Sequence, residues 1–209
     1  MLETGKIYHL YNRGNNRENL FYKKENYHYF IRQFDKYLSN FVDVYAYCLL
    51  PNHFHFLIKI KDGEEIIRHL VSLPKYRDAI ALSDSISFPL NKIISEQFRR
   101  LFISYSQAIN KQENRVGSLF QKHFKIKEVT NESYFTSLVF YIHSNPQKHG
   151  LIDDFREWNY SSYSSILSQN ISKLKKRDVI DWFGNIDAFK RFHNQQIYFR
   201  NLASLELDV

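Results

Sequence analysis

The sequence predicts an α+β fold with helices packed on an antiparallel sheet, and three patterns carry that expectation. Residues 6–12 and the stretch DVYAYCLLPNHFHFLIKI, Asp43 to Ile60, alternate apolar and polar positions with the strand period of two. Lys24 to Leu38 and Leu90 to Asn110 repeat apolar residues at helical spacing. Strand, helix, strand, strand, then a further helix and a strand-like basic segment, gives the ferredoxin-like βαββαβ order.

The first strand ends in Arg13-Gly14-Asn15-Asn16-Arg17, a turn composition with two cations and two amides at its tip. It reads either as a solvated hairpin loop or as a clamp, with Arg13 and Arg17 on phosphates and Asn15 and Asn16 facing base edges. In the following helix Tyr27, Phe30, Ile31, Phe34 and Leu38 form the buried stripe.

Pro51-Asn52 then breaks the central run into two adjacent strands. Successive strand side chains point to opposite faces, so His53 and His55 emerge together on one face while Phe54 anchors the other. By residue type alone the pair fits a metal or catalytic perch, or two hydrogen-bonded structural histidines.

Residues 61–90 are irregular. Asp62-Gly63-Glu64-Glu65 opens a short helix through Leu70, and Lys75 to Phe88, between Pro74 and Pro89, reads as a helical or loop insert. The next helix turns Ile94, Phe98, Leu101, Phe102, Tyr105 and Ile109 inward. Ser118 to Val129 reads as an irregular strand whose Lys122, Lys125 and Lys127 would line a nucleic-acid surface. His123 is either an edge residue or a supporting neighbour of the site.

Thr130 or Asn131 caps another helix, in which Phe135, Leu138, Val139 and Ile142 bury one face. Tyr134, Tyr141 and Asn145 cluster about a quarter-turn away. Tyr141 and Asn145, four apart, can serve one site, whereas Tyr134 is a spare phenol suited to core packing. Pro146 disfavours helical geometry at Asn145, and Gly150 closes the element. After Ser165, the basic run Lys173 to Arg177 precedes a small helical tail expected to dock through Trp182 and Phe189.

Composition narrows the partner. A chain of 209 residues, 44% hydrophobic and 24% charged, supports a substantial core and is not disordered. It shows no membrane-spanning run and no secretory pattern, so no membrane partner and a cytoplasmic location are expected. Cys48, the single cysteine, lies in an apolar strand; it reads as a buried small hydrophobe and offers no zinc-thiolate pattern. A formal charge of +7 favours a polyanion, and an aromatic fraction of 17% suits unpaired bases.

Taken in order, YHLYNRGNN, LLPNHFHFLI, GSLFQKHF, YIHSNPQKHG and WNYSSY resemble the HUH-type single-tyrosine transposases, and within them the REP-associated tyrosine transposases. These motifs span most of residues 6–165. The resemblance implies a ferredoxin-like HUH endonuclease domain over residues 1–165, with an insert near 61–90 and a helical tail over 166–209. It implies His53 and His55 as paired metal ligands, Asn145 as a third, and Tyr141 as the nucleophile that forms a 5′-phosphotyrosine. Mg2+ or Mn2+ would be the cofactor. The partner would be single-stranded DNA with imperfect hairpins, bound by a monomer or homodimer. A non-catalytic, domesticated nucleic-acid-binding regulator is the alternative.

Overall fold

A computed structural model describes residues 2–81 and 88–195. Strand β1 (Ile7–Arg13), helix α1 (Lys24–Leu38) and strands β2 (Val42–Leu50) and β3 (His53–Ile60) come first, followed by helices α2 (Gly63–Val71), α3 (Pro74–Ala81) and α4 (Leu90–Gln112). Strand β4 (Lys125–Glu128), the long α5 (Glu132–Lys148) and the short helices α6 (Tyr163–Leu167), α7 (Lys176–Trp182) and α8 (Ile186–Asn194) complete it. The strands form one sheet in the order β2-β3-β1-β4, and every neighbouring pair is antiparallel. This is the expected ferredoxin-like arrangement. Of the insert expected near 61–90, α2, α3 and the start of α4 are described; 82–87 lie outside the described residues. Among the described residues no helix is long and apolar enough to cross a membrane.

The strand alternation sorts residues into two layers. Leu10, Phe54, Phe56 and Ile58 meet α1 and α4 through Phe30, Phe34, Phe98, Leu101 and Tyr105. Phe34 and Phe56 stack with ring centroids 4.3 Å apart. The opposite face carries His9, Tyr11, Cys48, His53, His55 and Leu57, and α5 lies across it. Asn131 caps α5 by accepting from the Tyr134 amide at 2.8 Å.

Helix α5 departs from the expectation of a single buried face: every residue from Leu138 to Pro146 is buried. The sheet covers one side and the tail the other. Trp182 stacks on Phe135 at 4.3 Å, while Phe189 is fully buried beside His143. Packing on both sides carries α5 straight through Pro146 to Lys148, so Asn145 is helical after all. The basic run is tied internally, with Lys173 on Asp35 and Lys175 on Asp43.

The basic strand is also shorter than its pattern implied. Residues 119–121 pair with the end of β1 through Asn15 N–H to Leu119 O and Gln121 N–H to Arg13 O, both 2.9 Å. The chain then leaves the sheet and resumes at Lys125 as β4. His123 takes a left-handed conformation at φ 61° in that excursion, so Lys122 and His123 are not strand residues. Strand β2 at the other edge is covered by Trp158 to Ser162, with Leu49 N–H on Tyr160 O at 2.9 Å, and by Leu174, which bridges Val44.

The Arg13 to Arg17 segment is no hairpin tip. It makes a 3-10 turn and wraps onto the Pro51-Asn52 turn, where Gly14 N–H bonds Asn52 O at 2.8 Å and Leu20 N–H bonds Pro51 O at 2.7 Å. A Cβ on Gly14 would lie 1.9 Å from the Glu18 carbonyl oxygen, which is backbone and cannot swing away. Gly14→Ala should therefore displace this turn and lower stability by about 1–3 kcal/mol; urea titration checks it, and an unchanged midpoint would refute it.

Candidate active site

The antiparallel register sets Arg13 opposite His53, Tyr11 opposite His55 and His9 opposite Leu57. His53 is the first residue after the Pro51-Asn52 turn, and its Nδ1 lies 2.7 Å from Asn52 Oδ1. An amide oxygen only accepts, so Nδ1 carries the proton and the Nε2 lone pair is left available. Asn52 is itself held by its Nδ2, which donates to the Arg17 carbonyl at 3.3 Å.

His55 Nδ1 is 3.0 Å from His9 Nε2. With His55 as donor, its Nε2 lone pair is likewise available and His9 fixes its tautomer. Asn145 donates through Nδ2 to the Tyr141 carbonyl at 2.8 Å, which leaves Oδ1 as an acceptor. Among the described residues, His53 Nε2, His55 Nε2 and Asn145 Oδ1 are all buried without a hydrogen-bond partner.

Tyr141 is the aromatic wall of this group. It is 3% exposed, and its ring stands edge-on to His55 at 5.5 Å and to His9 at 6.1 Å. The Lys148 ammonium lies 5.3 Å from the Tyr141 ring centre, and the His149 ring is 4.8 Å from that of His53. Further out on the same face, Lys125 lies over Tyr11 at 5.8 Å and Lys127 over Tyr134 at 5.2 Å. Tyr134 belongs to the flank of the core, its hydroxyl buried and without a hydrogen-bond partner among the described residues.

Neutral imidazoles are thus ringed by cations. Burial pushes His9 down to about 3, with Lys127 adding to it. His53 is also lowered to about 3, by burial first, then His149 and Arg13, with Asn145 acting in the opposite direction. His55 is held well below the usual range by burial, with the neighbouring His9, His53 and His149 adding to it. Imidazoles held neutral in this way can accept a metal cation without first having to shed protons.

Among the described residues no group of three or more His, Cys, Asp or Glu side chains is arranged to hold a metal. The donors available are two imidazoles and a carboxamide, a set that includes no carboxylate. Two borderline imidazole nitrogens and one hard amide oxygen are a mixed set that would admit a divalent cation completed by water or phosphate oxygens.

The two distant motifs RGNNR and PNHFH meet here. Arg13 lies next to His53, Arg17 steadies Asn52 through its carbonyl, and Asn15 is engaged through its backbone with Leu119. Asn16 and Arg17 are exposed with φ of 54° and 62°. Lys122 and His123 point elsewhere, lining a pocket beside α4, so His123 does not support the histidine pair. Missing from the sequence reading were His9, Asn52, Lys148 and His149. His9 shares parity with Tyr11 on β1, but only the register reveals that it reaches His55. His149 lies one helical turn after Asn145, a spacing that was legible.

Behind the site a second polar chain locks α5 in place. His193 donates through Nδ1 to Phe189 O at 2.9 Å, so its Nε2 accepts from His143 Nδ1 at 2.9 Å. His143 Nε2 then accepts from the Ser162 hydroxyl at 2.8 Å, and Ser162 Oγ accepts the Tyr47 amide at 2.9 Å. Sheet, α5 and α8 are joined through consistent donors and acceptors.

A ferredoxin-like sheet with two histidines on its central strand, crossed by a tyrosine-bearing helix, is the fold of the HUH single-tyrosine class. No family model matches the chain. It is 25% identical over 144 residues to a REP-associated tyrosine transposase of Haemophilus influenzae, covering 68% of this chain and 67% of that one. Its fold is similar to the solved structure of a REP-associated tyrosine transposase bound to a REP hairpin, with a TM-score of 0.55 at 17% identity, over 81% of this chain and 83% of the other. The sequence similarity points to kinship with the REP-associated tyrosine transposases, and the likeness of fold agrees with it.

Buried neutral histidines make stability depend on pH with a definite sign. His9 and His53, lowered to about 3, and His193, lowered to about 4, bind protons more readily once unfolded, where the usual value is 6.5. Their contribution is complete above pH 6.5 and is lost as pH falls toward those lowered values. Each group adds a slope of up to about 1.4 kcal/mol per pH unit in that window. Urea midpoints should stay nearly level from pH 7.5 to about 6.5 and fall from there to pH 5, and a profile flat throughout would contradict neutral burial.

Proposed function

We propose that this protein cuts and rejoins single-stranded DNA beside imperfect hairpins, through a covalent bond between Tyr141 and the DNA. The observation that carries the reading is the set of unpartnered buried acceptors His53 Nε2, His55 Nε2 and Asn145 Oδ1 beside the Tyr141 ring. Leaving such an atom dry costs roughly 1–3 kcal/mol, so keeping several together calls for a ligand. His53, His55 and Asn145 would hold a divalent ion, magnesium or manganese, which when bound supplies Lewis-acid polarisation of a scissile phosphate. Asn52 keeps the His53 Nε2 lone pair presented, and His9, accepting from His55 Nδ1, would do the same for His55.

The chain's own chemistry centres on Tyr141. Its oxygen attacks the phosphorus, the bond from phosphorus to the 3′ oxygen breaks, and a 5′-phosphotyrosine remains. The phenol proton passes to solvent, and the departing 3′ oxygen takes one up. Attack by another 3′ hydroxyl reverses the step and restores a phosphodiester without external energy. Arg13, Lys125, Lys127 and Lys148 surround the site with positive charge and would hold the flanking phosphates, while Arg17, Asn15 and Asn16 extend that surface at the β1 end. The relative solved with a REP hairpin supports a hairpin as the duplex part of the substrate.

Labelled single-stranded DNA hairpins with manganese, resolved on denaturing gels, test the reading. Wild-type protein should give cleaved DNA and a covalent adduct mapping to Tyr141, whereas Tyr141→Phe should bind DNA and form no adduct. An adduct on Tyr134 would overturn the assignment, and binding without cleavage by the wild type would favour the regulatory alternative. His9→Ala, which releases the His55 tautomer, should weaken manganese binding about 10–100-fold by calorimetry with the fold intact; unchanged affinity would remove His9 from the site.

A further inference from the structure

Beside the excursion that separates residues 119–121 from β4, a pocket of about 510 Å³ opens between α4 and the 117–124 segment. It faces away from the histidine pair and has no part in the chemistry above. One stripe of α4 lines it: Phe102, Ile103, Ser106 and Gln107, with Phe98, Leu101 and Tyr105 turned into the core. Its volume lies in the roughly 300–1,000 Å³ range of small-ligand pockets.

The lining has three kinds of group. Phe102 and Phe124, half-buried with ring centroids 5.5 Å apart, give an aromatic floor open to solvent on one side. The exposed Gln107 carboxamide, with a donor and an acceptor, has no hydrogen-bond partner among the described residues. At the rim stands Lys122, also exposed and without an ion pair among the described residues, whereas Arg99 is held by Glu96 at 2.6 and 2.8 Å. Adjacent His123 is kept left-handed, the kind of strain that persists where a loop must present its side chains in a set direction.

We propose that this pocket takes one unpaired nucleotide of the DNA strand, its base stacked on Phe102 and Phe124, its edge met by Gln107 and its phosphate by Lys122. The inference rests on the DNA-processing reading and extends recognition to the opposite side of the sheet. Continuity of the surface supports that occupant. Asn12 and Gln121 line both this pocket and the small cleft that Tyr11, Arg13 and Lys125 form at the end of β1. A single strand leaving the cationic face can therefore round the sheet there and drop a base into the pocket. An aromatic floor accepts any base face, and a lone carboxamide discriminates modestly between base edges.

Photo-crosslinking of the full-length protein tests this. Hairpin DNA with single-stranded flanks carries 5-iodouracil at one flank position at a time, and crosslinked peptides are mapped after irradiation. One position should crosslink to the peptide containing Phe102 or Phe124, and an abasic site at that position should weaken binding about tenfold. In the Gln107→Ala, Lys122→Ala double variant, whose changes are both at exposed positions, that abasic penalty should shrink to under about twofold. Circular dichroism confirms that the variant is folded. DNA that is bound and cut with no position crosslinking to these peptides overturns this inference alone, and absence of DNA binding overturns both.

Discussion

Strand β3 is buried on both faces, yet only one of them is apolar, and the architecture follows from that. Alternation commits Phe54, Phe56 and Ile58 to the helical layer of α1 and α4, and sends His53 and His55 to the other side. A helix laid over histidines gains less from apolar burial than one laid over phenylalanines, and it leaves their lone pairs without a hydrogen-bond partner among the described residues. Helix α5 stays in place because the tail packs on its far side and the chain from Ser162 through His143 to His193 satisfies its polar groups there. The unpartnered atoms beside Tyr141 are tolerated because so much around them is satisfied.

That division also shows why sequence reading succeeded where it did. Helices α1 and α4 each bury one stripe against one layer, so a single period describes them, and β1 and β3 alternate cleanly. His53, His55, Tyr141 and Asn145 were legible as one cluster because each sits on an element with a readable phase. Helix α5 was harder: Leu138 to Ile142 is apolar on every side because two layers enclose it, and Pro146 looked like a boundary. Enclosure overrode the local preference.

Two other features lay beyond any single-strand pattern. The run from Lys122 to Lys127 alternates like one strand, but pairing of 119–121 with the β1 end and the left-handed His123 divide it, and its cations go to different faces. His9 was invisible for a related reason. Its partner is 46 residues away, and a residue's neighbour across a ladder depends on register, which composition does not encode.

The cover over β2 has a consequence for synthesis. That strand is complete by Leu50, but the segments that pair with its outer edge, Trp158 to Ser162 and Leu174, come more than a hundred residues later. While the chain is being made, its sheet grows with one flank unpaired, a template for any extended segment nearby. The same late segments carry Ser162 and lead into α8, so the event that seals the sheet against promiscuous strand addition is also the one that fastens α5 from behind. Protection from aggregation and assembly of the site thus arrive together.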